Sequence, residues 1–143
     1  MSGNIELVTR FWERLFNQRD LSAVASVVTD DLSWRGSLGT RSEGLDGFLD
    51  YAHTAQEAIP DLHVDLDELV AAGDHVFARL TLTGSHGGTL LGVAATRRQF
   101  SYDAAAVHRC RDGRIESVWV VGDTHALYRQ LTADDLFPAE AEA

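Results

Sequence analysis

Lysine is missing from this 143-residue chain: all twelve basic residues are arginine, set against twenty-two acids for a net charge of −10. Chemistry through a lysine Schiff base is thereby excluded. The acidic balance predicts no nucleic-acid partner, because phosphates reward clustered positive charge. It predicts no anionic membrane surface for the same reason. Cysteine occurs once, at Cys110, so no internal disulfide forms, and no Cys/His pair has zinc-ligand spacing. The six histidines are scattered, and nothing in their spacing asks for a metal. No apolar run reaches the length of a membrane span. The opening Met1-Ser2-Gly3-Asn4-Ile5-Glu6 lacks the basic start and apolar core of a signal peptide, so a cytoplasmic location is expected.

What is present reads as one domain over residues 1–131, followed by a loose acidic tail at 132–143. A chain of this size buries roughly 70% of its unfolded surface, enough for one core. Ile5, Val8, Phe11, Trp12, Leu15 and Phe16 follow the helical period and predict a helix from about Asn4 to Asn17. Asp20 is a candidate N-cap for a short helix through Val28, and Leu32–Arg35 a short strand before the Gly36–Gly39 loop. A third helix starts near Ser42 or Glu43 and ends at Pro60. The second half alternates instead, predicting strands at Leu62–Ala72, His75–His86, Arg97–Arg111 and Arg114–Gly122. Turn residues join them, Asp112-Gly113 being the clearest. A last short helix follows over Thr124–Leu131. Helices first and hairpin-joined strands later predict an α+β domain with a bent sheet, helices closing one side and a cavity between.

Alternation along the last strand groups Ile115, Ser117, Trp119, Val121 and Asp123 on one face. If that face is interior, Asp123 is an acid over an apolar surface, where burial raises a carboxylate pKa towards the range useful for proton transfer. The competing role for Asp123 is capping the helix that starts at Thr124. His108 shares a face with Phe100, Tyr102, Ala104, Ala106 and Cys110. It could donate to a substrate carbonyl, or be a core histidine satisfied by backbone. His86, before Gly87-Gly88, suits a cavity rim or a solvated loop. Trp34, Tyr51, Tyr102 and Trp119 are candidate pocket aromatics, while Trp12, Phe16 and Phe48 read as core.

Several blocks resemble, in order and spacing, those of SnoaL-like polyketide cyclases of the nuclear transport factor 2-like superfamily. They are Pro60-Asp61-Leu62, Ala72-Gly73-Asp74-His75-Val76, Thr83-Gly84-Ser85-His86-Gly87-Gly88, Leu91-Gly92 with Thr96-Arg97, Asp112-Gly113-Arg114-Ile115, Trp119 with Asp123, and Leu127 with Gln130-Leu131. The resemblance implies a cone-shaped α+β barrel, often a homodimer, with a pocket for a hydrophobic small molecule. It implies cofactor-independent aldol ring closure of a polyketide-like carbonyl substrate, with Asp123 as acid/base and His108 as its pocket partner. It leaves two other expectations open: a water-adding enzyme opening an epoxide or hydroxylating its substrate, and a non-catalytic ligand-binding dimer. The chain departs from the family pattern at Ala94-Ala95-Thr96-Arg97, at Ser33-Trp34-Arg35-Gly36 and at Ala104-Ala105-Ala106.

Overall fold

The computed structural model describes residues 2–132, so the tail expected from residue 132 lies, beyond Thr132, outside the described residues. The first helix, α1 (Ser2–Arg10), continues without a break into a π-helical stretch, Phe11–Asn17. Gln18 N–H donates to the Glu13 carbonyl, five residues back, at 2.8 Å. The wider turn is a rare geometry that recurs near functional sites. Here Phe11, Trp12, Leu15 and Phe16 are all buried. The short helix expected after Asp20 contracts to a 3₁₀ turn, Leu21–Ala23, and a single helical turn, α2 (Val24–Val27). Asp20 gives no cap bond to the backbone; its carboxylate takes Arg14 at 2.7 Å and the Ser22 hydroxyl. The β-branched run Val27-Val28-Thr29 favours extended chain, and β1 (Val28–Arg35) starts four residues earlier than the pattern suggested.

A short strand that the sequence reading did not contain, β2 (Arg41–Glu43), folds back on β1 around the Gly36–Gly39 turn and leads into α3 (Gly44–Ala58). The remaining strands fall where alternation put them: β3 (His63–Ala72), β4 (His75–Ser85), β5 (Gln99–Arg111) and β6 (Arg114–Gly122). The Asp112-Gly113 turn joining β5 and β6 has both residues at positive φ, 52° and 80°, as a tight two-residue hairpin requires. Helix α4 (Thr124–Leu131) closes the described chain. The six strands form one curved sheet in the order β2-β1-β6-β5-β4-β3, antiparallel except for the parallel pair β1 and β6. The class is α+β as expected, but the sheet stays open, with β2 and β3 as edges, rather than closing into a barrel.

One irregularity decides which face of β6 is inside. Pairing with β5 runs Arg109↔Ser117 and then Cys110↔Ile115, leaving Glu116 as an extra residue in β6. Ile115 is fully buried, and beyond the bulge the buried positions become Val118 and Val120. Trp119 and Val121 therefore point outward, each 45% exposed, the reverse of the unbroken alternation assumed above. At the bulge the Glu116 carboxylate sits between Arg109 (3.1 Å) and Arg111 (2.8 Å). No helix of the described residues is long and apolar enough to cross a membrane.

Candidate functional site

The π-helical stretch, β1, the β1–β2 turn, α3 and the inner face of the sheet enclose a cavity of about 350 Å³. That is within the usual range for small-molecule sites. Its inner wall is apolar or aromatic: Trp12, Phe16, Trp34, Tyr51, Leu82 and Val120 all contribute. Exposed lining residues, Thr40, Arg41, Thr54 and Thr89, mark the mouth. Leu90 and Leu91, on the 86–98 loop, lie over one side.

Aromatic packing fixes the wall. Trp34 meets Phe48 at 5.0 Å between ring centres and Tyr51 at 5.1 Å, and Trp12 meets Phe16 at 5.0 Å. Rings at these separations attract beyond the area they bury. The polar end is built from hydroxyls. The Tyr102 and Ser37 hydroxyls are hydrogen-bonded at 2.8 Å, and Tyr51 sits against Gly36 and close enough to Tyr102 to feel its charge. Burial pushes the Tyr51 phenol well above its ordinary pKa, and the neighbouring Tyr102 adds to the effect. Burial also raises Tyr102, with the Ser37 hydrogen bond opposing it. Both phenols are neutral O–H groups near neutral pH, as any ordinary tyrosine is, and able to donate. Two buried polar atoms of lining residues, Trp34 Nε1 and Ser42 Oγ, have no hydrogen-bond partner.

Of the seven residues singled out from sequence, the structure brings Trp34, Tyr51 and Tyr102 together on the cavity wall and leaves four elsewhere. Asp123 is exposed and caps α4, its Oδ1 accepting from Ala126 N–H at 3.1 Å. The bulge at Glu116 places it outside, because the outward phase of Trp119 and Val121 continues to it. Asp123→Ala should cost about 1 kcal/mol through loss of the cap, read as a lower midpoint in urea denaturation; an unchanged midpoint would contradict this role.

His108 is completely buried behind the cavity wall. It accepts from the Trp12 indole N–H at 2.9 Å and bonds the Val76 carbonyl at 3.0 Å through its other nitrogen. Both nitrogens are used by the protein, and burial lowers its pKa to about 4, against a smaller opposing effect of the Val76 carbonyl. It is a neutral core histidine that holds Trp12. His86 is likewise buried rather than solvated at a rim. Its ring bonds Thr96 Oγ1 at 2.9 Å and the Val93 carbonyl at 3.0 Å, pinning the 86–98 loop. Trp119 lies on the outer face, with the Arg35 guanidinium 4.6 Å above its ring. Sequence reasoning missed Ser37 and Arg41; a glycine-bounded turn next to Trp34 was the available signal for the first.

Among the described residues, no cluster of three His, Cys, Asp or Glu side chains is arranged to hold a metal. Among the described residues that line the cavity there is no carboxylate and no imidazole. The described wall can therefore donate hydrogen bonds to a ligand and shield it with apolar surface.

The chain matches the family model described as SnoaL-like polyketide cyclase over residues 6–131. Among solved structures it is similar to a candidate SnoaL-like polyketide cyclase from Jannaschia sp. CCS1, with a TM-score of 0.84, 20% identity, and 92% of this chain and 93% of that one covered. It is also similar to IdmH, a candidate polyketide cyclase from Streptomyces antibioticus, with a TM-score of 0.77, 26% identity and coverage of 90% and 97%. A third is AclR, a candidate hydroxylase from Streptomyces galilaeus, with a TM-score of 0.78, 23% identity and coverage of 93% and 98%. The first and third establish the fold alone. No protein of curated function matches the chain.

Proposed function

Because the chain belongs to the SnoaL-like polyketide cyclase family, we propose that it closes a ring in an apolar poly-carbonyl compound held in the cavity, with Tyr51 and Tyr102 donating hydrogen bonds to the reacting carbonyl. The observation that carries this reading is the apolar cavity wall that bears the half-buried Tyr51 and the buried Tyr102 phenols and, among the described residues, no carboxylate or imidazole.

An aldol closure removes a proton from a carbon next to a carbonyl, joins that carbon to a second carbonyl, and returns a proton to the new alkoxide oxygen. The product is an isomer of the substrate. A methylene between two carbonyls equilibrates with its enol in bulk solvent, so the substrate can enter the cavity already enolised; as the new carbon–carbon bond forms, the enol O–H proton is released and the alkoxide oxygen gains one. The cavity then contributes in two ways. Its aromatic walls fold the chain so that the two carbons meet, converting an improbable encounter into a pre-arranged one. Its phenols stabilise the negative charge that develops on oxygen, in a site where water does not compete. Asp123, outside the cavity, has no part in this scheme.

The test compares Tyr102→Phe, Tyr51→Phe and Asp123→Asn for ring closure of poly-β-carbonyl compounds, followed by mass spectrometry. Loss of one donor to a developing oxyanion costs about 10²–10³-fold in turnover, and that loss is expected for the phenylalanine variants. Asp123→Asn keeps a capping side chain and should turn over as the parent does. Abolished turnover in Asp123→Asn with unaffected tyrosine variants would overturn the proposal and return the acid/base role to Asp123. A product heavier by one water would identify a water-adding enzyme. That no base stands among the described lining residues also favours a second reading, binding without turnover, which predicts that ligand is recovered chemically unchanged.

A further inference from the structure

Asp112-Gly113 and Leu91-Gly92 make turns of the same shape from different residues. The backbone φ angles are 52° and 80° at the first, 52° and 78° at the second. Leu91-Gly92 is also a two-residue hairpin tip. Leu90 N–H donates to the Val93 carbonyl at 3.0 Å, and Val93 N–H to the Leu90 carbonyl at 2.9 Å. Such a turn favours Asn or Asp followed by Gly, because a short polar side chain or none tolerates positive φ. Asp112-Gly113 obeys that rule at an exposed corner. Leu91 breaks it: a bulky apolar residue in the left-handed region is strained.

Strain of this kind persists only where the surroundings hold it, and the base of this hairpin is docked firmly. Gly87 and Gly88 N–H both donate to the Ala58 carbonyl at the end of α3, at 2.8 and 3.0 Å. A Cβ on Gly87 would lie 2.7 Å from Pro60 Cδ, so the approach is close. The buried His86 ring, bonded to Thr96 Oγ1 and the Val93 carbonyl, fixes the returning arm. Leu90 and Leu91 both line the cavity. Leu90 is buried, whereas Leu91 packs against the core with only part of its side chain. Packing within the chain therefore uses only a fraction of the apolar surface that the strained position carries.

We propose that Leu91 is a ligand-contact residue: the hairpin tip holds its side chain over the cavity, where it covers an apolar, ring-bearing ligand seated against the aromatic wall. The ligand completes a burial that the chain alone leaves partial. The part of the ligand beneath the loop is therefore required to be apolar, since a polar group there would be covered by leucine without a partner. This inference rests on the cavity being the ligand site, as under the proposed function.

The test makes binding and stability move separately. The probe is 2-acetylnaphthalene, its binding followed by calorimetry at neutral pH with the full chain, and every variant is melted thermally to establish that it is folded. Leu91→Asn suits the turn and removes the apolar contact, so it should bind the probe about five- to tenfold more weakly than the wild type. It should nevertheless melt about 2–4 °C above Leu91→Ala, which loses the same contact and keeps the strain. Leu91→Met, apolar and of similar volume, should bind as the wild type does. Ala55→Phe, which fills the cavity from α3, should abolish binding. If Ala55→Phe loses the probe while Leu91→Asn binds it unchanged, the role of Leu91 is overturned and the cavity stands as the site. Affinity that merely follows melting temperature across the series makes Leu91 a packing residue and overturns the proposal as well. Binding that survives in folded Ala55→Phe, or a wild type that does not bind the probe, overturns the cavity reading and the inference with it.

Discussion

Replacing His108 with leucine should lower stability at neutral pH by roughly 2–4 kcal/mol, although the two side chains are similar in volume. The cost comes from what the imidazole satisfies. With leucine, the buried Trp12 indole N–H loses its acceptor and the Val76 carbonyl loses a donor. The same residue sets a pH dependence whose direction follows from its depressed pKa. In the unfolded chain the histidine titrates near the ordinary value of 6.5, whereas in the folded protein it stays neutral down to about 4. As pH falls through that window the unfolded state takes up the proton first, so stability declines. Below about 4 both states are protonated and the decline from this group ends. The depth of the limb is on the order of 3 kcal/mol. His108→Leu has no such limb, so its stability curve should converge on that of the wild type as pH falls from about 7 to about 4. Urea denaturation across this range checks it, and two curves that stay parallel would show that His108 does not titrate in this way.

The second large effect is expected at Gly36, at the start of the β1–β2 turn. A Cβ there would press on the Tyr51 hydroxyl and lie 2.7 Å from Cζ and 3.0 Å from Cε1 of the same ring. The ring cannot retreat freely, because Trp34 packs against it at 5.1 Å. Gly36→Ala should therefore drive Tyr51 into the cavity, costing about 1–3 kcal/mol as an overpacked contact does. It should also weaken binding of aromatic ligands by about tenfold or more, since a shift of one ring consumes much of a narrow site. The pairing with Tyr51 makes the claim specific. In Gly36→Ala/Tyr51→Ala the clash is gone, so the double variant should be more stable than the two single costs would sum to. Additive costs would locate the strain elsewhere in the turn.

Both effects show which parts of the molecule local sequence could reveal. The β5 face Phe100, Tyr102, Ala104, Ala106, His108 and Cys110 was legible from alternation, and all six are buried. The same pattern put Asp103 on the opposite, exposed face. Alternation failed on β6 because a single extra residue inverts every position beyond it. Nothing near Glu116 announces the bulge: its two arginine partners lie on the neighbouring strand. Strand β2 was invisible for another reason, being three polar residues long and held by its pairing with β1 rather than by propensity. His86 looked like a loop histidine because glycines follow it. Its burial depends on Thr96 and Val93 folding back over it, a contact ten residues away that no period encodes. The site followed the same division. Trp34, Tyr51 and Tyr102 were legible as aromatics on elements that face the sheet interior, whereas the place of Asp123 hung on the bulge.

The outer strand β3 has its own consequence for how the protein behaves in a crowded solution. An open sheet offers its border strands as templates on which another chain can continue the hydrogen-bonding ladder. Here that border is guarded by a picket of exposed acids, Asp65, Asp67 and Glu68, with a bulge between Leu66 and Glu68 breaking the straight run. Two incoming copies meet charge against charge before any ladder can extend. Replacing the three acids by their amides removes that repulsion at neutral pH. Copies of that variant would meet with unguarded borders, so it should associate into fibres under conditions in which the wild type stays dispersed.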